Sequence, residues 1–101
     1  MYIFNESMIR QIDSLPFLLR RKAIRQWFKQ FKREQYCEHC GTFFNIEFHH
    51  VKPKVMKINL MVRKACTLKA LIVEIKKTIP LCHVCHVYEH QQLRMRENEG
   101  E

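Results

Sequence analysis

The sequence is poor in the two residues that most often interrupt helices and strands. Only two glycines and three prolines occur among 101 residues, and no segment is repeated or of low complexity. With 47% apolar residues, the composition excludes a disordered chain. The length predicts one domain with a modest core, near the size at which a structural metal ion contributes appreciably to stability.

The sequence also lacks the apolar segments that direct a protein to or across a membrane. The first residues, MYIFNESMIRQ, have no basic stretch followed by an apolar one, and no apolar run approaches the roughly 20 residues of a membrane span. We therefore expect a cytoplasmic protein without a membrane partner. In that reducing compartment, the five cysteines are expected to bind metal rather than to form disulfides.

Acidic residues are in the minority. The chain carries 18 lysines and arginines against 10 aspartates and glutamates, which gives a formal net charge of +8. The excess lies in residues 1–90, because residues 91–101 carry two basic and three acidic side chains. A basic chain favours a polyanionic partner, of which nucleic acid is the first candidate.

Two cysteine pairs with the same spacing lie on either side of the middle of the chain. Cys37 and Cys40 form the first Cys-x2-Cys pair, and Cys82 and Cys85 form the second. Each pair places two thiolates on one tight turn, and together they predict a tetrahedral four-cysteine zinc site. Cys66 is the odd cysteine, which we expect to be a small buried hydrophobic side chain rather than a reactive thiol.

The first third of the chain predicts two helices. Asn5 can cap a helix that runs to about Asp13, and Pro16 suits the first turn of a second helix that runs to about Glu34. The apolar, core-facing stripe of the second helix consists of Ile24, Trp27, Phe28 and Phe31. Its basic face, which is either solvated or in contact with phosphates, consists of Lys22, Arg25, Lys29 and Lys32.

Two short strands are predicted in the second half of the chain. The first spans about 45–51, and its period of two sends His49 and His50 to opposite faces. The second spans residues 78–81, where Pro80 favours an edge position. We expect the two strands to pair antiparallel and to deliver the second cysteine pair to the zinc site.

Helical patterns fill the rest of this half. Residues 59–77 form either one helix or, with Thr67 as an internal cap, two helices. Residues 84–96 predict the last helix, and residues 97–101 are expected to fray.

Four histidines accompany the cysteine pairs. His49 and His50 follow the first pair, while His86 and His90 follow the second. Because His86 and His90 are four residues apart, a helix presents both on one face, as a two-histidine metal site requires. With a histidine from the strand they would form an open three-ligand site, which leaves room for water and a phosphate oxygen.

This succession of residues resembles the HNH endonucleases of the ββα-metal fold. The resemblance covers about residues 36–93 and is carried by C-x2-C-G, by HHVKP, and by LC-x2-CH with a further histidine four residues later. The segment KKTIPLCHVCHVYEH, behind a helical insertion, is most similar to the HNH endonuclease domain of group II intron reverse transcriptases.

The resemblance implies an α+β fold. A ββα-metal motif is held together by the four-cysteine zinc site, N-terminal helices precede it, and a helical insertion separates its two strands. The chain then divides into an N-terminal helical extension over 1–35, the zinc-bearing nuclease motif over 36–96 and the tail over 97–101.

The resemblance also implies roles for individual side chains. His50 matches the general base of the family, and His49 and His86 match its metal ligands. His90 matches an extra helix ligand of the colicin-type nucleases. The implied cofactors are a structural Zn²⁺ and a catalytic divalent ion such as Mg²⁺ or Mn²⁺.

One family position is occupied differently. Many zinc-bearing members have an asparagine a few residues before the third cysteine, where this chain has Lys77, followed by Thr78. Thr78 can take over a hydrogen-bonding role, as in the intron-type domains. The resemblance implies that the orientation of His50 depends on the residue at this position.

The chain is therefore predicted to be an HNH endonuclease that hydrolyses DNA phosphodiester bonds, by nicking or by double-strand cleavage. Candidates for phosphate contact, each of which can also be a solvated lysine, are Lys52, Lys54, Lys29 and Lys32. Two alternatives remain open: a zinc module that binds nucleic acid without cutting it, and a structural zinc domain that binds a protein. Four convergent histidines favour the enzyme, because a binding module has no use for them.

Overall fold

The computed structural model describes residues 4–64 and 66–99, with side chains up to Met95, and has an α+β fold. Five helices and one two-stranded antiparallel sheet follow each other along these residues. The elements are α1 (Glu6–Asp13), α2 (Phe17–Arg33), β1 (Ile46–His50), α3 (Ile58–Lys64), α4 (Leu68–Ile75), β2 (Thr78–Cys82) and α5 (His83–Glu99). None of the described helices is long and apolar enough to cross a membrane.

α1 and α2 begin close to their predicted starts. The side chain of Asn5 accepts a hydrogen bond from the backbone N–H of Met8 at 3.1 Å, which satisfies one of the free donors at the start of α1. Pro16 is the N-cap residue of α2 and therefore lies just before its first turn. The predicted apolar stripe is buried or partly buried: Ile24, Trp27, Phe28 and Phe31.

The helical segment between the strands consists of two helices, α3 and α4. Thr67 separates them and caps α4, because its hydroxyl accepts a hydrogen bond from the N–H of Ala70 at 3.1 Å. The carboxylate of Asp13 is a second cap, which accepts from the N–H of Leu68 at 2.6 Å and from that of Lys69 at 3.1 Å. Asp13 thus joins the end of α1 to the start of α4.

β1 and β2 pair antiparallel, as predicted, in a register that places Ile46 opposite Cys82. The carbonyl of Pro80 accepts a hydrogen bond from the N–H of Glu38 at 3.0 Å. Because the N–H and C=O of one strand residue point the same way, the nitrogen of Pro80 also faces away from β1. Its missing donor therefore costs no bond of the sheet, which explains why β2 accommodates a proline.

Alternation along β1 sends its side chains to different neighbours. Phe48 faces α2, where its ring lies 5.7 Å from the rings of both Phe28 and Phe31. Glu47 and His49 instead contact histidines of α5. One short strand thereby joins the helices of the N-terminal half to α5.

The core consists of two clusters of buried side chains. The larger one joins α2, α3 and α4 and contains Ile24, Phe28, Phe31, Ile58, Met61, Val62, Leu68, Leu71, Ile72 and Ile75. The smaller one surrounds the cysteine pairs and contains Cys37, Ile46, Leu81 and Cys82. Cys66 is partly rather than fully buried and packs against the larger cluster. The smaller cluster has too few apolar side chains to be stable alone, so a metal cross-link is expected there.

α5 is longer than its sequence pattern predicts. It begins at His83 and continues to Glu99, whereas the pattern predicts a helix over 84–96 and a frayed tail after it. Two of the three residues that extend it beyond residue 96 are glutamates, which are good helix formers. Gly100 and Glu101, the rest of the predicted tail, lie outside the described residues.

Candidate functional site

The four cysteines predicted to bind zinc lie together. Cys37 and Cys40 belong to the loop between α2 and β1, Cys82 ends β2, and Cys85 lies in the first turn of α5. Their sulfur atoms all lie within 4.8 Å of one another, and those of Cys40 and Cys82 are 3.7 Å apart. Tetrahedral zinc with Zn–S bonds of about 2.3 Å requires sulfur atoms about 3.8 Å apart. The cluster can therefore hold a zinc ion after small movements of the side chains.

Backbone hydrogen bonds shape the loop that carries the first cysteine pair. The N–H of Gly41 donates to the carbonyl of Cys37, and the N–H of Cys37 donates to the carbonyl of Thr42, both at 2.8 Å. Gly41 has a φ of 78°, a left-handed conformation that glycine adopts without steric cost. The bond from Glu38 to Pro80 attaches this loop to β2 and so to the second pair.

The cysteine thiols differ in acidity. Burial opposes ionisation of Cys37, but hydrogen bonds from neighbouring backbone N–H groups, first that of Cys82, lower its pKa to about 6. The side chain of Cys82, followed by burial and the other thiols, raises the pKa of Cys85 to about 12. The cluster thus favours one thiolate and opposes further ones. A divalent cation removes that repulsion, because deprotonated thiols are its ligands.

Three histidines form a second cluster, with His49 from β1 and His86 and His90 from α5. One ring nitrogen of each lies within 4.8 Å of those of the other two. The Nε2 atoms of His86 and His90 are 3.0 Å apart. Bonds of about 2.0–2.1 Å to one cation place two imidazole nitrogens about 2.9–3.4 Å apart. The structure therefore brings the three predicted metal ligands together, and three ligands leave coordination positions open for a substrate.

The carboxylate of Glu47 supports this histidine cluster. It accepts hydrogen bonds from Nδ1 of His86 at 2.8 Å and from Nδ1 of His83 at 3.1 Å. Because Nδ1 of His86 carries the proton, the neutral ring has its lone pair on Nε2, which faces His90. Carboxylates commonly orient metal-binding histidines in this way. Sequence reasoning missed Glu47, although the period of two along β1 places it on the same face as His49.

The charges in the histidine cluster favour a bound cation. Burial alone would raise the pKa of Glu47, but hydrogen bonds from His86 and His83 lower it below its ordinary value, so the carboxylate is ionised. Burial and the neighbouring His86 and His90 lower the pKa of His49. A lowered pKa keeps this imidazole neutral near pH 7, and the neutral form is the one that binds metal.

His50 lies on the other face of β1, as the alternation predicts. Its Nε2 atom is 3.0 Å from a carboxylate oxygen of Glu74, a residue of α4 whose side chain is only 4% exposed. His50 nevertheless lines the same cleft as the histidine cluster. His50 therefore lies beside the three candidate ligands and outside their group.

The position expected for asparagine is also close to Glu74. The ammonium group of Lys77 lies 3.1 Å from the second carboxylate oxygen of Glu74. The hydroxyl of Thr78 donates a hydrogen bond to the carbonyl of Ile75 at 2.6 Å. Sequence reasoning missed Glu74, because its apolar neighbours in α4 gave no indication that a buried carboxylate faces β1.

A cleft of about 860 Å³ opens over the histidine cluster. Its lining includes four basic side chains: Lys32, Lys54, Lys57 and Arg63. Lys32 and Lys54 are among the four predicted phosphate contacts, whereas Lys29 and Lys52 are exposed outside the cleft. Sequence reasoning missed Lys57 and Arg63, since only the fold brings α3 to this side of the molecule.

The site thus has four features: a four-sulfur cluster, three convergent imidazoles, a histidine bound to a buried carboxylate, and a basic cleft beside them. The chain matches no protein-family model, no curated protein and no solved structure. These four features are therefore the basis on which a function can be proposed.

Proposed function

We propose that the protein is a metal-dependent endonuclease of the HNH type that hydrolyses phosphodiester bonds of DNA. The observation that carries the proposal is the convergence of His49, His86 and His90 next to His50 in one basic cleft. The three imidazoles supply ligands, His50 supplies a base, and the basic side chains supply contacts for phosphates. A zinc domain with a purely structural role needs none of these.

The histidine cluster fits a divalent cation in addition to the structural zinc. His49 is 9% exposed and held in the sheet, while Glu47 directs Nε2 of His86 toward the cluster. These side chains are therefore already oriented for binding. A divalent cation bound there would stabilise the negative charge that develops on the phosphate and on the leaving oxygen.

His50 is the proposed general base. The ordinary pKa of an imidazole, about 6.5, lies close to neutral pH, so a neutral histidine readily accepts a proton under physiological conditions. In the proposed reaction a water oxygen forms a bond to phosphorus, its proton passes to His50, and the bond from phosphorus to the 3′ oxygen breaks. The 3′ oxygen takes a proton from solvent, which leaves a 3′ hydroxyl and a 5′ phosphate.

The basic side chains of the cleft favour a nucleic-acid substrate. Lys32 comes from α2, Lys54 and Lys57 from the loop before α3, and Arg63 from the end of α3. Separate segments therefore surround the histidines with positive charge. Such side chains bind the phosphates on either side of the reacting one, with little dependence on base sequence.

A zinc module that binds nucleic acid without cutting it is the alternative function. The basic cleft serves both functions equally well, so it does not distinguish between them. The histidine cluster does, because converging imidazole nitrogens are useful to a metal-dependent enzyme and have no role in phosphate binding. We therefore favour the enzyme.

Cleavage of supercoiled plasmid DNA tests the proposal. Zinc-loaded protein should produce nicked or linear plasmid with Mg²⁺ or Mn²⁺, and none when EDTA is added to chelate the catalytic ion. His50→Ala should lower the cleavage rate by on the order of 100-fold or more and still bind DNA. His86→Ala should weaken binding of the catalytic ion, so that a higher metal concentration restores part of its activity.

His39→Ala is a matched control, because the His39 side chain is 41% exposed and belongs to neither cluster. It should cut at the wild-type rate. Zinc-loaded protein that binds DNA but cuts none with Mg²⁺, Mn²⁺, Ni²⁺ or Zn²⁺ would identify the binding module instead. Equal rates for wild type and His50→Ala would reject His50 as the base.

A further inference from the structure

Glu74 is a buried carboxylate that the proposed reaction does not yet use. It lies on α4 and only 3% of the residue is exposed. One oxygen, Oε1, lies 2.9 Å from the backbone nitrogen of Val55 and 3.0 Å from Nε2 of His50. The other, Oε2, lies 3.1 Å from the ammonium group of Lys77. Glu74 therefore links α4 to the end of β1, to the loop that follows β1 and to the turn that follows α4.

The carboxylate of Glu74 is ionised despite its burial. Burial alone would raise its pKa, but hydrogen bonds from Lys77, from the N–H of Val55 and from His50 lower the pKa below its ordinary value. A buried carboxylate is costly unless its oxygens are hydrogen-bonded, and both oxygens of Glu74 are. The charge on Glu74 is thus a stable part of the fold.

An ionised carboxylate can only accept hydrogen bonds. Nε2 of His50 must therefore donate to Glu74, so the proton of the neutral ring lies on Nε2 and the lone pair lies on Nδ1. The bond also fixes the orientation of the ring, because Glu74 is itself held by Val55 and Lys77. Of the two ring nitrogens, Nδ1 is the one left able to accept a proton.

We propose that Glu74 is a positioning residue that fixes the orientation and tautomer of His50, so that Nδ1 of His50 takes the proton from the attacking water. This inference rests on the endonuclease function proposed above. Glu74 thereby fixes the orientation of His50. The resemblance makes that orientation depend on an asparagine, which this chain replaces with Lys77. The contact with Val55 gives Glu74 a second effect, since it anchors the loop that carries Lys54 into the cleft.

A purely structural ion pair between Glu74 and Lys77 is the alternative, and Glu74→Gln and Lys77→Met distinguish the two roles. Glu74→Gln keeps the size of the side chain and an oxygen that can accept from the N–H of Val55, but it replaces the charged acceptor of the His50 N–H with a neutral one, which forms a weaker hydrogen bond. Lys77→Met removes the ion pair and leaves the contact between Glu74 and His50. We expect Glu74→Gln to lower kcat at least about tenfold with an unchanged KM for DNA. Lys77→Met should lose less kcat than Glu74→Gln, because the N–H of Val55 still holds the carboxylate of Glu74 against His50.

NMR of zinc-loaded protein labelled with ¹⁵N in histidine tests the same contact without any cleavage. At a pH well above the ordinary imidazole pKa of about 6.5, His50 should carry its proton on Nε2, and this N–H should exchange slowly with water. His50→Asn identifies the signal. In Glu74→Gln this N–H should exchange with water faster than in the wild type, because its acceptor is neutral, whereas in Lys77→Met it should persist.

Four outcomes would overturn the inference. They are a proton on Nδ1 of His50 in the wild type, an N–H of His50 that exchanges as slowly in Glu74→Gln as in the wild type, a wild-type kcat in Glu74→Gln, and an equal loss of kcat in Lys77→Met. The first needs no variant, so it decides even if Glu74→Gln does not fold. Wild-type protein that cuts no DNA would instead reject the proposed function, and the NMR signal would still show whether Glu74 holds His50.

Discussion

Glu47 lies between two histidines of α5, and its carboxylate decides which nitrogen of His86 is available for a metal ion. A neutral imidazole has one lone pair, and a hydrogen bond at Nδ1 leaves that lone pair at Nε2. A substitution of Glu47 should therefore change the affinity for the metal ion, although it removes no ligand.

Glu47→Gln is expected to weaken divalent-ion binding at the histidine cluster by roughly 10- to 100-fold. Loss of the charge allows the ring of His86 to change its tautomer and turn away from His90. Calorimetric titration of zinc-loaded protein with Mn²⁺ measures the affinity. Glu38→Gln, a change at an exposed glutamate in the cysteine loop, should bind Mn²⁺ like the wild type. An unchanged affinity of Glu47→Gln would show that Glu47 does not orient His86.

Gly41 is the second residue whose role can be tested alone. Its φ of 78° is unfavourable for side chains with a Cβ atom, but among the described residues no atom outside Gly41 and its two chain neighbours lies within 4 Å of the place where that Cβ would be. Gly41→Ala should therefore lower the free energy of unfolding by about 1–2 kcal/mol through conformation alone. Gly41→Asn should lose less, because asparagine tolerates this conformation. Urea denaturation in the presence of zinc measures both, and equal losses would contradict this explanation.

The spacing of residues in the sequence identifies a site residue only when its partners are close in the sequence or belong to a repeated motif. The period of two correctly separates His49 from His50, and the Cys-x2-Cys spacing correctly groups the four cysteines. Glu47 and Glu74 have partners 39 and 24 residues away along the chain. Their proposed roles depend on contacts of β1 with α5 and α4, which no local sequence pattern shows.

Asp13 joins two helices, because it is the last residue of α1 and its carboxylate caps the first turn of α4. Asp13→Ala should lower the free energy of unfolding by about 1–2 kcal/mol, as the loss of a helix N-cap usually does. Asp13→Asn keeps an acceptor and should lose less. Urea denaturation measures both variants, with Gln11→Ala as the control for an exposed position of the same helix. If Gln11→Ala were equally destabilising, the effect would belong to α1 itself and not to the cap.

The existence of the helices and strands and the pairing of the two strands were predictable, but the neighbours of the helices were not. Asn5, Pro16 and the apolar stripe predict α1 and α2, and alternation predicts β1. The division of the inserted segment at Thr67 stayed open, because the apolar pattern shows which faces are buried but not where the chain turns. Lys57 and Arg63 reach the cleft only because α3 packs on α2.

At the scale of the whole molecule, a metal ion bound by the cysteine cluster would also fix the geometry of the histidine cluster. Cys40 and Cys82 lie 42 residues apart along the chain and have sulfur atoms 3.7 Å apart. The next cysteine, Cys85, is followed directly by His86 at the start of α5. A metal ion that joins the four thiolates therefore also fixes the start of the helix that carries two of the three imidazoles.

Loss of zinc should consequently disrupt both clusters. Structural zinc contributes folding free energy on the order of 10 kcal/mol, which exceeds what the small core around Cys37 and Leu81 can supply. Cys82→Ser, or prolonged treatment of the wild type with a strong zinc chelator, should abolish the dispersed NMR spectrum of a folded protein. Elemental analysis of the folded wild type should give one tightly held zinc per chain.

Cys66→Ser is the matched control for the loss of zinc, because Cys66 lies outside the sulfur cluster and packs against the larger core. It should retain both the zinc and the dispersed spectrum. A folded wild-type protein without tightly held zinc would contradict the structural role of the four cysteines. The three imidazoles would then have to be positioned by the contacts of β1 with α5 alone, and the zinc-free protein would still bind Mn²⁺.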